Sequence, residues 1–346
     1  MGLQIRDIIS RKQIEIKDLK DKVICIDAYN IIYQFLSTIR QPDGTPLKDD
    51  KGNITSHLSG LFYRNINLLD DGLKLVYVFD GKPPELKSAT NASRKEHKED
   101  ARVKFESAKA IDDRQSMGKY SRQMVFINEQ IVNESKELLT AMGIAVIQAP
   151  SEGEAQAAHL ARTNPAAVYA VGSQDYDSLL FGAPRLIQNL TLANKRKTVS
   201  GYVDVSPEII DLDMVLNSLE INLDQLICIG ILCGTDYNPG GVRGIGPKRA
   251  LQIVKTYKQP VLIFNSSQVL ERFAQMLSEG NSFDWQTIFE LFHKPNVENF
   301  PIVFPDINLD EIKRILLSRG FSSDRIDKQL LRIKRLVSDR KQTKLF

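Results

Sequence analysis

Val23-Ile-Cys-Ile-Asp27 and Leu75-Val-Tyr-Val-Phe-Asp80 are two short β-rich runs, and each ends on an acid. Three further runs, Ile144–Ile147, Ala167–Val171 and Arg185–Gln188, share their character, and helical patterns lie between them. That alternation predicts an α/β fold with a mainly parallel central sheet and helices on both faces. In such sheets ligands bind in the crevice beyond the carboxyl ends of the strands. An aspartate that closes a strand is placed to face that crevice.

Outside these runs, residues 41–56 are turn-rich and read as a polar connection before a helix. Residues 82–125 are charged throughout, with little apolar periodicity, and predict either disorder or a mobile element ordered by a partner. An apolar helix over 224–233 precedes a glycine-rich turn and a second helix from Pro247, and residues 306–338 read as helical and basic. There is no internal repeat and no low-complexity segment.

The 346 residues, 42% hydrophobic and 26% charged, have an ordinary globular composition and room for a large core. A net charge of +3 is too small to prove a nucleic-acid partner. Its distribution says more. Eleven Lys/Arg stand against seven Asp/Glu from Lys82 to Arg122, and eleven against three from Lys313 to Lys344. Cys25, Cys228 and Cys233 are odd in number, lie in apolar runs and lack metal-ligand spacing, so they read as small buried hydrophobes in a reducing compartment. No apolar run reaches the roughly 18 residues of a membrane span, and the start is no signal peptide. The expectation is an intracellular protein, cytoplasmic in a prokaryote and nuclear in a eukaryote, with no membrane partner.

Seven acids stand where a core would not want them. Asp27 and Asp80 end strands, and Glu152 and Glu154 open a helix in Pro-Ser-Glu-Gly-Glu-Ala. Asp175 and Asp177 lie in Gly-Ser-Gln-Asp-Tyr-Asp, and Asp236 in Cys-Gly-Thr-Asp-Tyr. Singly, each has a plainer reading as a helix cap or turn former. As a set converging on one crevice they would repel one another unless cations held them. Oxygen donors without His or Cys indicate a hard ion, Mg²⁺ or Mn²⁺. Two such ions about 4 Å apart suit phosphodiester hydrolysis. No Ser/His/Asp nucleophile system competes, and His57, His97, His159 and His293 show no ligand spacing.

Gly241-Val-Arg-Gly244-Ile-Gly246-Pro-Lys-Arg-Ala looks like a dinucleotide fingerprint, but an apolar helix precedes it instead of a strand. It reads better as a turn whose glycines let a phosphate approach the amides at a helix N-terminus, with Lys248 and Arg249 adding charge. A plain helix–turn–helix packing element is the simpler reading. Lys87 and Arg94 are seven apart, and so share a face if residues 85–98 are helical. Tyr33 is a core residue by default.

Taken in order, several stretches resemble the archaeal and eukaryotic flap endonucleases of the 5′ nuclease superfamily. They are Ile-Asp27-Ala-Tyr-Asn with Tyr33-Gln-Phe-Leu, Ile-Thr-Ser-His-Leu-Ser-Gly-Leu-Phe-Tyr-Arg64 and Val-Phe-Asp80-Gly-Lys-Pro-Pro-Glu-Leu-Lys87. Further on come Ala-Pro-Ser-Glu152-Gly-Glu154-Ala, Ser-Gln-Asp175-Tyr-Asp177-Ser-Leu-Leu-Phe-Gly, Gly234-Thr-Asp236-Tyr and Gly244-Ile-Gly246-Pro-Lys248-Arg249-Ala. The resemblance spans residues 1 to about 335.

It implies Asp27, Asp80, Glu152 and Glu154 around one Mg²⁺ and Asp175, Asp177 and Asp236 around a second, with Glu154 between them and Mn²⁺ able to substitute. It implies that Lys87 and Arg94 meet the scissile phosphate and that Tyr33 stacks on a base. Arg40 and Arg64 match phosphate-contacting positions. The segment around Gly234, Gly246, Lys248 and Arg249 becomes a helix–two-turn–helix gripping duplex DNA, with a monovalent cation on backbone carbonyls. The substrate is branched 5′ flap DNA, cut near the single/double-strand junction to leave a 5′-phosphate, in replication and repair, with associated exonuclease activity.

The expected organisation is an N-terminal nuclease region at 1–102 and the rest of a charged helical arch at 103–122. An internal nuclease region follows at 123–258, with the helix–two-turn–helix at about 226–258. A C-terminal helical region at 259–338 packs on the same domain, and a flexible tail covers 339–346. In that tail Gln342, Leu345 and Phe346 partly match a peptide that docks on a sliding clamp, although a second aromatic is missing. The chain is expected to be a monomer by itself. Competing readings are a 5′ exonuclease or bubble-cutting relative, an RNA-cleaving nuclease, and a non-catalytic DNA-binding scaffold. The short link between Asp80 and Glu152 argues against the bubble cutters, and the intact acidic set argues against the scaffold.

Overall fold

The computed structural model describes residues 3–111, 113–191, 195–198, 201–278 and 283–343. Among them the chain starts with β1 (Lys12–Gln13), β2 (Val23–Asp27), α1 (Ala28–Thr38), α2 (Ser56–Asp70) and β3 (Lys74–Phe79). A 3₁₀ turn at Glu85–Lys87 leads into α3 (Ser88–Ala110), α4 (Arg114–Gln123), α5 (Glu129–Ala141), β4 (Ala145–Gln148) and α6 (Gly153–Thr163). Next are β5 (Ala170–Gly172), α7 (Asp177–Leu180), β6 (Arg185–Gln188), β7 (Lys195–Thr198), β8 (Gly201–Asp204) and β9 (Glu208–Asp211). Helices complete the chain: α8 (Leu212–Leu219), α9 (Leu223–Cys233), α10 (Pro247–Tyr257) and α11 (Pro260–Phe264). After them come α12 (Ser267–Ser278), α13 (Trp285–His293), α14 (Leu309–Ser318) and α15 (Ser323–Thr343).

The chain forms two compact units, each assembled from three stretches. The first holds Met1–Glu15, Asp80–Asn91 and Ala149–Asn299, and the second holds Ile16–Phe79, Ala92–Gln148 and Phe300–Phe346.

In the second unit β2, β3 and β4 run parallel in that order, with Val23 opposite Lys74 and Val76 opposite Ala145. Ile24, Cys25 and Ile26 of β2 and Val76 to Phe79 of β3 are inaccessible to water. Strands buried on both faces read as unbroken apolar runs, which is why these two stand out in the sequence. The hydroxyl of buried Tyr77 donates to Asn65 Oδ1 of α2 at 2.8 Å, so its polar end is satisfied. Leu58, Leu61, Phe62 and Ile66 give α2 its buried face at helical spacing. Arg332 of α15 donates to Asp70 and Asn67 at the end of α2, at 2.5 and 3.1 Å. The basic C-terminal helix is therefore tied to α2 within its own unit.

The charged stretch, which composition leaves as disorder or a mobile element and the resemblance makes a helical arch, is helical as α3 and α4. Phe105, Ala108 and Met117 form a small buried cluster, joined by Tyr120 and Met124. So few apolar positions, spread over two helices crowded with charge, are too narrow a stripe to register as periodicity. The connection at 41–56 leans on the same element. A Cβ on Gly44 would stand only 2.6 Å from Gly118 Cα, and Arg40 donates to the Ser121 hydroxyl at 2.5 Å.

In the first unit the order is β1-β9-β6-β5, with β5 parallel to β6, and β9 antiparallel to both β6 and β1. The pairing is thus mixed, with parallel strands through the runs that the sequence shows and antiparallel ones where it shows nothing. β1 has two exposed residues and β9 is bounded by acids, so neither carries an apolar signature. β7 and β8 make a separate antiparallel hairpin.

Among the described residues no single helix is long and apolar enough to cross a membrane; α8 and α9 pass such a test only as a pair bent by 83°. The apolar side chains of α9 from Leu226 to Leu232 are buried in the protein. All three cysteines are free, Cys25 and Cys228 buried and Cys233 half-buried. Burial pushes the Cys25 and Cys233 thiols up to about 12.

A polar network lies within the second unit. Fully buried His57 meets Glu134 Oε2 through Nε2 at 3.1 Å, Gln130 donates to Glu134 at 2.7 Å, and Arg319 pairs with it. Burial pushes the Glu134 carboxyl up, but the bonds from His57 and Gln130, with the charge of Arg319, hold it below its ordinary 4.5. A depressed folded-state pKa stabilises fully above the unfolded value, and that stability is lost as pH falls through the folded one. Glu134→Gln is expected to cost about 2 kcal/mol in urea unfolding at pH 7, because Arg319 and His57 lose their charged acceptor. The gap to the parent protein should narrow steadily at pH values below 4.5.

Candidate active site

Asp27, the last residue of β2, belongs to the second unit. It caps α1, accepting the Asn30 N–H at 3.2 Å. The other six acids lie in the first unit. Asp80 directly follows β3, and its carboxylate accepts the Gly153 N–H at the start of α6 at 2.6 Å. Glu152 is the N-cap residue of α6, yet its side chain makes no capping bond. Asp80 performs that service instead, and the Glu152 carboxylate is turned to Lys87.

The chain after Asp80 is strapped to the chain before Glu152. Gly81 N–H donates to the Ser151 carbonyl at 2.5 Å, Lys82 N–H to the Pro150 carbonyl at 3.3 Å, and the Ser151 hydroxyl to the Lys82 carbonyl at 3.0 Å. A side chain at Gly81 would overlap the Ala149 carbonyl oxygen, so only glycine permits this approach. A cavity of about 530 Å³, walled by Pro83, Pro84, Pro150 and Leu291, gives access to Glu152 from outside.

Glu154, in the first turn of the same helix, accepts from the Ser173 hydroxyl at 2.9 Å, and that hydroxyl in turn accepts the Asp175 N–H at 3.2 Å. Ser173 therefore joins the two acidic segments. Gln188 of β6 donates to the Gln174 carbonyl at 2.7 Å and fixes the loop between them. Asp177 opens α7 and is buried, and its Oδ1 has no hydrogen-bond partner among the described residues.

Asp236 arrives from the turn after α9. There Asn238 Oδ1 accepts the Thr235 N–H at 3.1 Å and the Thr235 hydroxyl at 2.7 Å, while Asn238 Nδ2 donates to the Ile231 carbonyl at 2.7 Å. Thr235 and Asn238 are buried, so these bonds define the conformation that presents Asp236 between them.

The electrostatics show how close these groups stand. Burial, then the charges of Asp236 and Asp175, push the Asp177 carboxyl up to about 8. Burial raises Asp80 against the opposing pull of the Gly153 N–H and Lys87, and it raises Glu152 against the pull of Lys87. Lys87, in the 3₁₀ turn, places its ammonium on Glu152 and 3.5 Å from Asp236, over the Tyr237 ring at 5.2 Å. Burial lowers the Lys87 pKa, but Glu152 and Asp236 more than offset this and hold it above the ordinary lysine value. Among the described residues no three His, Cys, Asp or Glu donors stand close enough to make a finished metal site. The donor set nonetheless fits a hard cation: carboxylates alone, partly desolvated, one with an oxygen left over.

Other residues singled out in the sequence fall differently. Tyr33 is no core residue, being 42% exposed on α1. Arg64 of α2 is half-buried, which lowers its pKa, and it has no hydrogen-bond or ion-pair partner among the described residues. Arg40 is committed internally, donating to the Ser37 and Gly44 carbonyls at 3.2 and 2.8 Å as well as to Ser121. Arg94 lies in α3, which begins only after Lys87, so the two do not share one helix; the side chain of Arg94 lies outside the described residues. Gly234 ends α9 at φ +103, and Gly246 caps α10 with open space where a Cβ would stand. Lys248 and Arg249 are exposed on the first turn of α10. Gln342 lies in the last turn of α15 with its side chain outside the described residues, and Leu345 and Phe346 lie outside them altogether. Sequence reasoning missed Ser151, Ser173, Thr235 and Asn238, which position acids without being acids. The Thr235-Asp-Tyr-Asn238 spacing, a hydroxyl and an amide flanking one aspartate, was the available signal.

An acidic cluster of this kind beside a helix–turn–helix is the arrangement of a metal-dependent nuclease. Residues 1–101 match the XPG N-terminal domain and residues 143–236 the XPG I-region. The chain belongs to the flap endonuclease family, and with it to the structure-specific, metal-dependent endonucleases. It is 47% identical to flap endonuclease 1 of Pyrococcus abyssi over 100% of this chain and 97% of that protein. The corresponding protein of Pyrococcus horikoshii is 46% identical over the same shares. The solved structure of flap endonuclease-1 from Methanococcus jannaschii is similar with a TM-score of 0.73 at 38% identity, covering 98% of this chain and 100% of that one.

Asn238→Ala would free Thr235 and strand the Ile231 carbonyl. It is expected to lower stability by about 2–3 kcal/mol and to slow cleavage at temperatures where the protein remains folded. Thermal unfolding and a single-turnover assay check both effects.

Proposed function

We propose that this chain cuts 5′ flaps from branched DNA near the single/double-strand junction. Its six first-unit acids would hold two Mg²⁺ ions, with Mn²⁺ able to substitute. The observation that carries the reading is the gathering of Asp80, Glu152, Asp175, Asp177 and Asp236 in one unit, where burial, with neighbouring acids added to it, raises Asp80, Glu152 and Asp177, and a buried Asp177 oxygen has no partner among the described residues. Asp80, Glu152 and Glu154 would serve one ion and Asp175, Asp177 and Asp236 the other, while the ligand role of Asp27 rests on the resemblance. When bound, the ions supply activation of the attacking water and stabilisation of charge on the phosphate.

The protein's own groups do the rest. Lys87, held by Tyr237 beneath and Glu152 beside it, is the cation within reach of a phosphate lying over the carboxylates, and Arg94 would join it. Arg64 offers a half-buried guanidinium without a hydrogen-bond or ion-pair partner among the described residues, and exposed Tyr33 offers a ring to a base. Arg40 is already engaged and is the weaker phosphate candidate. Gly246, Lys248 and Arg249 would grip duplex phosphates at the start of α10, with a monovalent cation on the turn carbonyls. The products would carry a 5′-phosphate, with exonuclease activity alongside. The setting would be intracellular replication and repair, and the protein a monomer by itself. Gln342, Leu345 and Phe346 would dock on a sliding clamp. Equal calorimetric affinity for a clamp after truncation at Arg340 would refute that contact.

End-labelled flap, nicked, bubble and single-stranded DNAs, incubated with and without Mg²⁺, test the activity. Flap cutting that needs Mg²⁺ and dominates the other substrates is expected, while dominant bubble cutting or no cutting would overturn the reading. Asp175→Asn should abolish cleavage and leave flap binding largely intact. Lys87→Ala should lower the single-turnover rate by more than it weakens binding, because a cation on the scissile phosphate acts mainly in the transition state.

A further inference from the structure

α12 is anchored by residues on one side. Val269 is fully buried, and the ring of Phe273, four residues on, packs against Phe283 at 5.1 Å. Arg272 lies between them in sequence and points elsewhere. Its Nη1 donates to the Arg243 carbonyl at 2.7 Å, inside the turn between α9 and α10. It has no other hydrogen bond and no ion pair among the described residues. The next residue of that turn, Gly244, has φ +75, and a Cβ built on it would overlap the Arg272 guanidinium. Glycine is thus required there twice over, once by its backbone and once by the arginine lying against it.

A charge-assisted bond to a carbonyl is about twice as strong as a neutral one. Here it fixes the direction of the peptide joining Arg243 to Gly244. That peptide stands two residues before Gly246, the N-cap of α10, where the proposed phosphate grip begins. Within the turn, the Val242 N–H donates to the Leu232 carbonyl at 2.8 Å and the Ile245 N–H to the Val242 carbonyl at 3.0 Å. These bonds tie the turn to α9 and to itself; Arg272 ties it to a separate helix. We propose that Arg272 is a positioning residue that sets the glycine turn for duplex DNA, making α12 a third helix of the DNA-gripping element. The proposal rests on the reading of Gly246, Lys248 and Arg249 as that grip. Arg272 acts through the turn and is not itself a phosphate contact.

Hydrogen exchange in the DNA-free protein tests the strut without reference to DNA. Arg272→Ala should speed exchange at Val242 and Ile245 by about tenfold, the loss of one charge-assisted bond, and Arg272→Lys, which keeps a charged donor of similar reach, should restore most of the protection. In binding assays Arg272→Ala should weaken affinity for flap DNA by about tenfold, with the single-turnover rate at saturating protein kept within about twofold. The slope of log affinity against log salt should stay as in the parent protein, since no phosphate contact is lost. Unchanged exchange in Arg272→Ala would overturn the proposal. So would a salt slope lowered by about 0.9, the mark of a direct phosphate contact. Lys248→Ala separates the two readings. Its expected result is weaker binding with a flatter salt dependence. Parent-like binding by Lys248→Ala, with exchange still accelerated in Arg272→Ala, would refute the grip and leave the strut standing.

Discussion

Mutual repulsion among buried carboxylates is the constraint on which the candidate site depends. Burial, with the charge of neighbouring acids added to it, disfavours the ionised forms of Asp80, Glu152 and Asp177, and Asp175 and Asp236 are among those neighbours within the same unit. A fold tolerates such an arrangement only where positive charge balances it. Lys87 supplies one charge from inside the protein, against Glu152 and Asp236. Set against these acids among the described residues, one ammonium leaves negative charge that divalent cations are suited to balance.

The framework around the acids is built to hold them in place despite that repulsion. Five of the six first-unit acids ride on segments pinned by neutral neighbours: Ser151 beside Asp80 and Glu152, Ser173 between Glu154 and Asp175, Thr235 and Asn238 around Asp236. Backbone strapping between Gly81 and Ser151 serves the same end. These bonds fix geometry without adding charge. The turn that delivers Asp236 also leads to α10, and one short stretch of chain thereby belongs both to the acidic cluster and to the proposed grip on DNA.

The acids and the buried parallel strands were legible in the sequence because both break local expectation. An aspartate after Val-Tyr-Val-Phe is conspicuous, and so is an unbroken β-branched run. β1 and β9 were not legible, being short and polar and defined only by partners distant in sequence. α3 and α4 were expected through the resemblance alone, because Phe105, Ala108 and Met117 are a thin apolar signal among many charges. Lys87 was visible as a charge, but its 3₁₀ turn and its seat on Tyr237 depend on tertiary contacts. Arg272 gave no sign at all, since its meaning comes from a carbonyl 29 residues away. Tyr33 shows the reverse: residue type alone suggests core, the resemblance puts it against a base, and its exposure on α1 removes the core reading.

If a cation-binding carboxylate cluster is the centre of this protein, binding the ions must stabilise the folded state over the unfolded one. Linkage puts that gain at about 2.7 kcal/mol when the free ion is a hundredfold above its dissociation constant. Calorimetric unfolding in EDTA and in Mg²⁺, for the parent protein and for Asp177→Asn, measures it directly. The account predicts a clear rise in the parent protein's transition temperature with Mg²⁺ and a much smaller rise in Asp177→Asn. An identical transition in EDTA and Mg²⁺ for the parent protein, or an equal rise in both proteins, would contradict it.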